Sequence, residues 1–317
     1  MANKPKNVQI RQDLTSYAHG ITQDLAPMRR LANLLAPVVP TGGTSGLYNH
    51  FDDTAAFKAY ADAVARRAVG GQASIIEFLS DVGNYNADPY GLRISIDNHE
   101  RDQAGDGVSL LEQAKTRTLT VTCYLSWLNS LVTMIKAAVS ATAGKGSWLT
   151  ATVDPIQEIN DQIKAVWLAT GILPNHVVMD FGAWSVMAGH PLVLKRMPGA
   201  DLAEVSPARV KRLLANPNAD IEVIETAVLY GGGLGNASAT RRGITGGSVL
   251  IFFNSPVPTQ YDPSFCKTFA PSVNLFTEVY TYRQEPHLDW YENDWTCDPI
   301  VVASGLCKRI DVTGAND

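Results

Sequence analysis

The hydrophobic pattern along the chain is strongest near its middle, where it predicts two helices. Apolar residues recur at helical spacing over residues 107–141, which predicts one long helix with an apolar stripe. A second helix is predicted to begin after Asp154, because Pro155 at its first position and Gln157 three residues after the cap complete an N-terminal capping pattern. Gly171 is placed to end that helix.

Strand and helix patterns then alternate, which predicts a compact α/β domain. The predicted strands are 176–179, 221–230 and 248–253, the predicted helices are 181–188 and 206–214, and a loop covers 231–247. After residue 265 the extended segments become rich in aromatic residues, at 276–283, 288–296 and 298–303. These last segments predict an antiparallel sheet that closes the fold.

The first 90 residues show a weaker pattern. Residues 14–35 have helical spacing interrupted by Pro27, and the prolines at 37 and 40 favour an extended strip after them. This region is either a helical subdomain or an arm that packs on a neighbouring chain. Residues 41–90 contain few large apolar residues and many glycines, so we expect a long projecting hairpin with its tip near Arg66, Arg67, Gly70 and Gly71.

Composition narrows the classes of function. The net charge is -5, and acidic and basic residues are interspersed along the sequence. The sequence therefore shows no cluster of basic residues of the kind that binds nucleic acid. The four cysteines show no metal-binding spacing, and we interpret them as reduced thiols of a protein made in a cytoplasm. The first residues lack the apolar core of a signal peptide. Residues 118–135 carry no charge and approach a membrane-spanning length, but their threonines, serines and asparagine favour a partly buried helix outside a membrane.

Candidate catalytic and binding motifs are weak. The glycine-rich stretch 231–235 follows a predicted strand, but the residues after it do not predict the helix that a phosphate-binding loop needs. The six histidines include no pair at the spacing of metal ligands on one helix face. Asp97, Glu100, Arg101 and Asp102 could hold an acid/base pair, although a charged helix entry is the commoner role. We therefore expect no catalytic residue, no metal and no cofactor.

Several short stretches form a recognisable series. They are LAPVVP at 35–40, DPYGL at 88–92, residues 154–168 with PNHVVM at 174–179, and AWSVM at 183–187 with HP at 190–191. In these stretches the chain resembles the major capsid proteins of tailed phages and, more distantly, encapsulin shells. The resemblance covers nearly the whole chain, and the order of the elements carries more of it than any single motif.

The resemblance implies an α+β chain with the Hong Kong phage-type capsid fold. Its expected parts are an N-terminal arm (1–40), an extended hairpin loop (41–95), a peripheral domain with the spine helix (96–150), an axial α/β domain (151–264) and a return to the peripheral domain (265–317). The implied function is assembly into pentamers and hexamers of an icosahedral virion shell that encloses DNA without sequence-specific binding. Assembly would take place in the bacterial cytoplasm, away from any membrane.

The expected partners are further copies of this chain, with a scaffold protein, a portal and decoration proteins. Residues 1–13 are too short for an internal scaffolding segment, so a scaffold would be a separate protein. Arg66 and Arg67 are predicted to pair with Asp97, Glu100 or Asp102 of a neighbour. The alternatives are an encapsulin-type compartment shell and an α/β enzyme that binds a nucleotide at residues 231–247.

Overall fold

A computed structural model describes residues 9–24, 26–50, 69–72, 81–197, 205–224, 227–230, 240–272, 275–276 and 278–315. The chain divides into two compact units. The first comprises Met1–Gly46, Tyr85–Thr133 and Thr268–Ile300, and the second comprises Leu47–Asn84, Met134–Lys267 and Val301–Asp317.

The first half of the chain carries the longest helix. Its elements are β1 (Gln9–Ile10), α1 (Gln12–Asp24), α2 (Ala26–Leu35), β2 (Val38–Pro40), β3 (Ser45–His50), β4 (Asp81–Asn86), β5 (Asp88–Asp97), α3 (Asn98–Ala104), a 3-10 turn (Gly105–Gly107) and α4 (Val108–Ala138). The long helix predicted over 107–141 is confirmed as α4. Its threonines are accommodated because hydroxyls such as those of Thr118, Thr122 and Thr133 donate to backbone carbonyls four residues earlier.

The second half contains most of the strands. Its elements are α5 (Pro155–Thr170), β6 (His176–Asp180), α6 (Phe181–Ala188), α7 (Pro191–Arg196), α8 (Pro207–Lys211), β7 (Asp220–Ile224), β8 (Ala227–Tyr230), β9 (Thr240–Gly243), β10 (Ser248–Phe252), β11 (Cys266–Ala270), β12 (Val279–Glu285), β13 (Leu288–Val301), a 3-10 turn (Ser304–Leu306) and β14 (Cys307–Asp311).

The first unit is built on a six-stranded sheet with the order β1-β12-β13-β11-β2, in which β5 also pairs with β13. The β5–β13 ladder is antiparallel and runs from the Asp97–Leu288 pair to the Asp88–Cys297 pair. Phe276 centres an aromatic cluster in this unit, with its ring centroid 4.4 Å from that of Tyr124 and 4.7 Å from that of Trp295. Its backbone has a φ of 62°, and the buried amide of Asn293 donates to its carbonyl at 3.1 Å.

The second unit is organised around a four-stranded sheet with the order β14-β10-β6-β7. β6 is parallel to β7 and antiparallel to β10, and β10 is antiparallel to β14. All five residues of β10 are buried, which explains its continuous apolar run. The core around this sheet includes Trp148, Ile159, Val177, Met187 and Ile251.

The capping of α5 follows the sequence prediction. Asp154 accepts hydrogen bonds from the backbone N of Ile156 at 3.0 Å and of Gln157 at 3.2 Å. Gly171 ends the helix with a left-handed φ of 75°, a conformation that glycine adopts without steric cost. Both ends of the helix were therefore predictable from local chemistry.

Three predicted elements differ from the observed ones. The single strand predicted over 221–230 is two strands in different sheets, because β7 pairs with β6 whereas β8 pairs with β9. The helix predicted over 206–214 ends earlier, at Lys211. The strand predicted over 298–303 is not separate but is the end of β13, which continues to Val301, although the ladder of β13 with β5 stops at Cys297.

Four strands were not predicted. The short strand β1 was not recognised near the start of the chain, β9 lies inside the predicted loop 231–247, and β11 and β14 were not recognised in the last third of the chain. β14 pairs with β10 in the sheet of the second unit, so the chain after residue 300 returns to that unit. The domain boundaries proposed from the sequence stay a prediction.

Candidate assembly surfaces

The acidic residues predicted to contact a neighbour lie at the beginning of α3, and two of them have roles within the chain. Asp97 caps the helix by accepting a hydrogen bond from the backbone N of His99 at 2.7 Å. Glu100 accepts from the backbone N of Asp97 at 3.4 Å, which completes a capping box, and also from Nζ of Lys115 at 3.2 Å. This geometry supports the helix-entry interpretation of the cluster over an acid/base pair.

The third acidic residue, Asp102, differs from the other two. Its side chain is exposed, and it forms no hydrogen bond or ion pair with any described residue. The predicted partners Arg66 and Arg67 lie outside the described residues, so their pairing with a neighbour stays a prediction. Of the three carboxylates, Asp102 is the one available for such a pair.

Arg101, from the same cluster, belongs to an ionic network within the first unit. Its Nη2 donates to Oε1 of Glu112 at 2.9 Å and to the hydroxyl of Tyr291 at 2.7 Å, and it lies 3.1 Å from Oδ2 of Asp289. The Tyr291 hydroxyl in turn donates to Glu112 at 2.7 Å. Burial raises the pKa of Tyr291, and the hydrogen bond to Glu112 raises it further.

Arg11 and Arg283 extend this network at its two ends. Arg11 donates to Oε2 of Glu112 at 3.1 Å, and Arg283 forms a two-pronged contact with Asp289 at 2.7 and 3.1 Å. The hydrogen bond from Arg283 lowers the pKa of the Asp289 carboxyl. Sequence reasoning missed this arrangement because its members are brought together only by the sheet and by α4.

An open cleft of about 280 Å³ lies beside this network. It is lined by residues of β1, β12 and β13 together with Arg11 and Arg101. Three guanidinium groups and one carboxylate, that of Asp289, line it. Its chemistry suits polar recognition rather than covalent catalysis.

The paired strands β3 and β4 form the base of the predicted hairpin, and two glycine–tyrosine contacts define one face. A Cβ on Gly46 would lie 2.4 Å from the hydroxyl of Tyr85, and a Cβ on Gly83 would lie 2.4 Å from Cζ of Tyr48. Both tyrosines are buried, and the Tyr85 ring also stacks on Phe269 with centroids 4.8 Å apart. The glycines are required because the rings lie directly on their backbone.

The opposite face of the hairpin base is apolar and exposed. Because side chains alternate along a strand, Leu47 and Val82 point away from the two tyrosines. Their exposed fractions are 63% and 59%. We define Leu47 and Val82 as the hairpin outer face. The remainder of the predicted hairpin, at 51–68 and 73–80, lies outside the described residues.

The second unit exposes large apolar side chains at the end of α5. Trp167, Leu168 and Leu173 are 46%, 66% and 48% exposed and lie between positions 167 and 173. Phe181, at the start of α6, is 60% exposed. Such a concentration of exposed apolar surface is typical of a region that contacts another chain.

The cysteines are buried thiols. All four are free, and burial raises the pKa of Cys123 and of Cys297 to about 12 and raises those of Cys266 and Cys307 as well. The four cysteines form no disulfide with one another, as expected for thiols, and synthesis in a cytoplasm stays a prediction. Thiols in this state are poor nucleophiles and poor metal ligands at neutral pH.

Other candidate chemistry finds little support in the described part of the chain. No group of three metal-ligating side chains occurs there. The glycines at 231–235 lie outside it, so the nucleotide-binding alternative is untested. The helical stretch Asn98–Ala138 passes a membrane-span test by length and composition, and half of its most apolar window is buried. A core helix passes the same test, so this finding alone does not indicate a membrane protein.

No protein-family model and no curated protein sequence match this chain. Solved structures do match it. A phage-related protein from Bordetella bronchiseptica is similar over 98% of this chain and 99% of its own, at 18% identity and a TM-score of 0.67. The capsid of the cyanophage P-SCSP1u is similar over 88% of this chain and 87% of its own, at 10% identity and a TM-score of 0.50.

The fold predicted from the sequence is confirmed by these likenesses. Sequence identities of this size indicate a shared fold and carry no residue-level correspondence. The likeness to the phage-related protein extends over nearly the whole of both chains. The chain therefore has the α+β fold of phage capsid proteins, the Hong Kong phage-type capsid fold.

Proposed function

We propose that this chain is the major capsid protein of a tailed bacteriophage. Copies of it assemble as pentamers and hexamers into an icosahedral shell that encloses the genome. The observation that carries this proposal is the end-to-end likeness to a phage-related protein, which spans 98% of one chain and 99% of the other. The cyanophage capsid adds support from an assembled particle.

The surface of the chain supports the same proposal. The hairpin outer face and the end of α5 expose large apolar side chains. Burying these side chains against another chain is favourable, because it removes apolar surface from water. A shell subunit needs several such contacts, because each copy touches neighbours around more than one symmetry axis. The proposed function is structural, with no reaction catalysed.

The proposed partners follow from this role. The chain contacts further copies of itself, and a scaffold protein, a portal and decoration proteins complete the particle. Its net charge of -5 is consistent with a shell that encloses DNA without binding particular sequences. The shell is assembled in the bacterial cytoplasm and leaves the cell as part of the virion.

Negative-stain electron microscopy of the recombinant full chain tests the proposal. The chain is expressed alone and together with its neighbouring genes, and each preparation is fractionated by size before imaging. Closed shells or ring-shaped capsomers are expected in at least one preparation. Small discrete particles under every condition would overturn the proposal.

The contents of any shells separate the proposal from an encapsulin-type compartment. Neighbouring genes for a portal and a tail, and shells that package DNA when these are co-expressed, are expected. Shells that instead retain a neighbouring enzyme would favour the compartment. The enzyme alternative predicts a small oligomer that binds a nucleotide, which equilibrium dialysis with ATP detects.

A further inference from the structure

The cleft of the first unit has its floor on one face of the sheet. Gln9 lies opposite Thr281, Thr281 lies opposite Tyr291, and Arg283 lies opposite Asp289. Directly opposed residues share a face of a sheet, so these side chains form one continuous surface. Arg11 and Arg101 stand at its edge.

The three arginines of the cleft retain unused hydrogen-bond donors. Arg101 makes its contacts through Nη2, and Arg11 and Arg283 make theirs through Nε and Nη2. The Nη1 groups of all three therefore have no partner among the described residues. An arginine has five N–H donors in a planar fork, so each can bind a further acceptor while keeping its present contacts.

The charges of the cleft are unequally accessible. The side chain of Glu112, which joins Arg11 to Arg101, is 8% exposed, and that of Asp289 is 18% exposed. Those of Arg11 and Arg283 are 36% and 52% exposed. The side chain of Asp13 is 62% exposed, and its carboxylate is held by Nε and Nη2 of Arg11. Three carboxylates therefore balance the three guanidinium groups, and an approaching acceptor is offered the unpaired Nη1 donors rather than a net positive charge.

We infer that this cleft is a binding site for an oxyanion, and that in the assembled particle the oxyanion is an acidic side chain of a second copy of this chain. Arginine forks match the geometry of carboxylate and phosphate groups. The chain carries 31 acidic and 26 basic residues, so a second copy offers carboxylates in excess. Asp102 and Asp106, for example, are exposed and have no partner among the described residues. The identity of the ligand's source rests on the proposed function, whereas the chemistry of the cleft does not.

The first experiment measures oxyanion binding with inorganic phosphate as the probe. Unassembled wild-type chain is titrated by calorimetry beside the double variant Arg11→Gln with Arg283→Gln. We expect saturable binding to the wild type and about tenfold weaker binding to the double variant, as for loss of hydrogen bonds to charged groups. Asp289→Asn is expected to tighten binding, because it removes the competing carboxylate.

Arg93→Gln is the matched control. Arg93 belongs to the same sheet, but it pairs with Glu292 and therefore lies on the opposite face, with its guanidinium 4.3 Å from the Trp290 ring centroid. Phosphate binding to this variant should equal that of the wild type. Absence of saturable binding to the wild type, or equal affinity of the double variant, would overturn the oxyanion site. Circular dichroism of each variant confirms that the chain is folded.

The second experiment tests the source of the oxyanion. Arg11→Glu with Arg283→Glu is expected to lower the yield of shells about tenfold, and phosphate at saturating concentration should inhibit assembly of the wild type. Phosphate binding with unaltered assembly would overturn the second copy as the source. If wild-type chain forms no shells under any condition, the proposed function fails, and the titration still decides the chemistry of the cleft.

Discussion

The central sheet of the second unit and the hairpin base bury their strands in different ways. Every residue of β10 is buried, and so are four of the five residues of β6, so side chains on both faces of these strands are removed from solvent. In the hairpin base, Tyr48 and Tyr85 are buried while Leu47 and Val82 on the other face are about 60% exposed. The central sheet is therefore buried on both faces, whereas the hairpin base has one exposed apolar face.

This difference separates residues that stabilise the subunit from residues available to join subunits. A strand buried on both faces contributes to the free energy of unfolding of the isolated chain. An exposed apolar face contributes little to that free energy, because it becomes buried only when another chain packs against it. Substitutions in the two regions should therefore affect different measurements. Stability is measured on unassembled chain, because assembly would itself raise the apparent stability.

The largest loss of stability is expected for Asp180→Ala, in the central sheet. The Asp180 carboxylate is buried and accepts hydrogen bonds from the backbone N of Ala183, the hydroxyl of Thr245 and the backbone N of Gly247, at 2.9, 3.0 and 2.7 Å. Removing it leaves three buried donors unpaired, which should lower the free energy of unfolding by about 4 kcal/mol. Denaturant titration measures this, and a loss below about 1 kcal/mol would contradict the assignment.

A smaller loss is expected for Gly46→Ala, at the buried face of the hairpin base. The new methyl would overlap the Tyr85 ring, which cannot move away freely because Phe269 stacks on its other side. Overpacking of this kind should cost about 2 kcal/mol. Gly42→Ala is the matched control, because a Cβ there meets no atom within 4 Å. Equal thermal stability of the two variants would show that the ring does not press on the strand.

Asp154→Ala is expected to have a smaller effect than Asp180→Ala, although both residues cap a helix. The side chain of Asp154 is 18% exposed and accepts hydrogen bonds from two backbone N–H groups and from Arg196. Water can replace part of these contacts, so the expected cost is about 1 kcal/mol. A cost equal to that of Asp180→Ala, in the same denaturant titration, would mean that burial does not set the difference.

The smallest effect on stability is expected for the double variant Leu47→Asp with Val82→Asp. Both side chains are exposed, so the free energy of unfolding should change by less than about 0.5 kcal/mol. Assembly into shells should nevertheless be lost, because two charges would be buried at the contact. Size-exclusion chromatography and denaturant titration on the same preparation separate the two effects. Normal shells from this variant would exclude the hairpin outer face as a contact.

Local chemistry predicted part of this structure from sequence, and long-range pairing accounts for the rest. The caps of α5 and the extent of α6 were predictable, because a helix end depends on a few adjacent residues. The division of 221–230 between two sheets was not, because partner strands are distant in sequence. The cleft could not be predicted for the same reason, because Arg101 and Tyr291 are in contact although 190 positions separate them. The predicted contact residues Asp97 and Glu100 were recognised as a charged cluster, but their use in capping the helix became visible only in the structure.

A cryo-electron microscopy reconstruction of particles formed by the full chain tests the central claim most directly. The account predicts a closed icosahedral shell in which the hairpin outer face of each subunit, Leu47 and Val82, is covered by a neighbouring copy. A preparation that never forms closed particles, or a shell in which that face remains in contact with solvent, would contradict it.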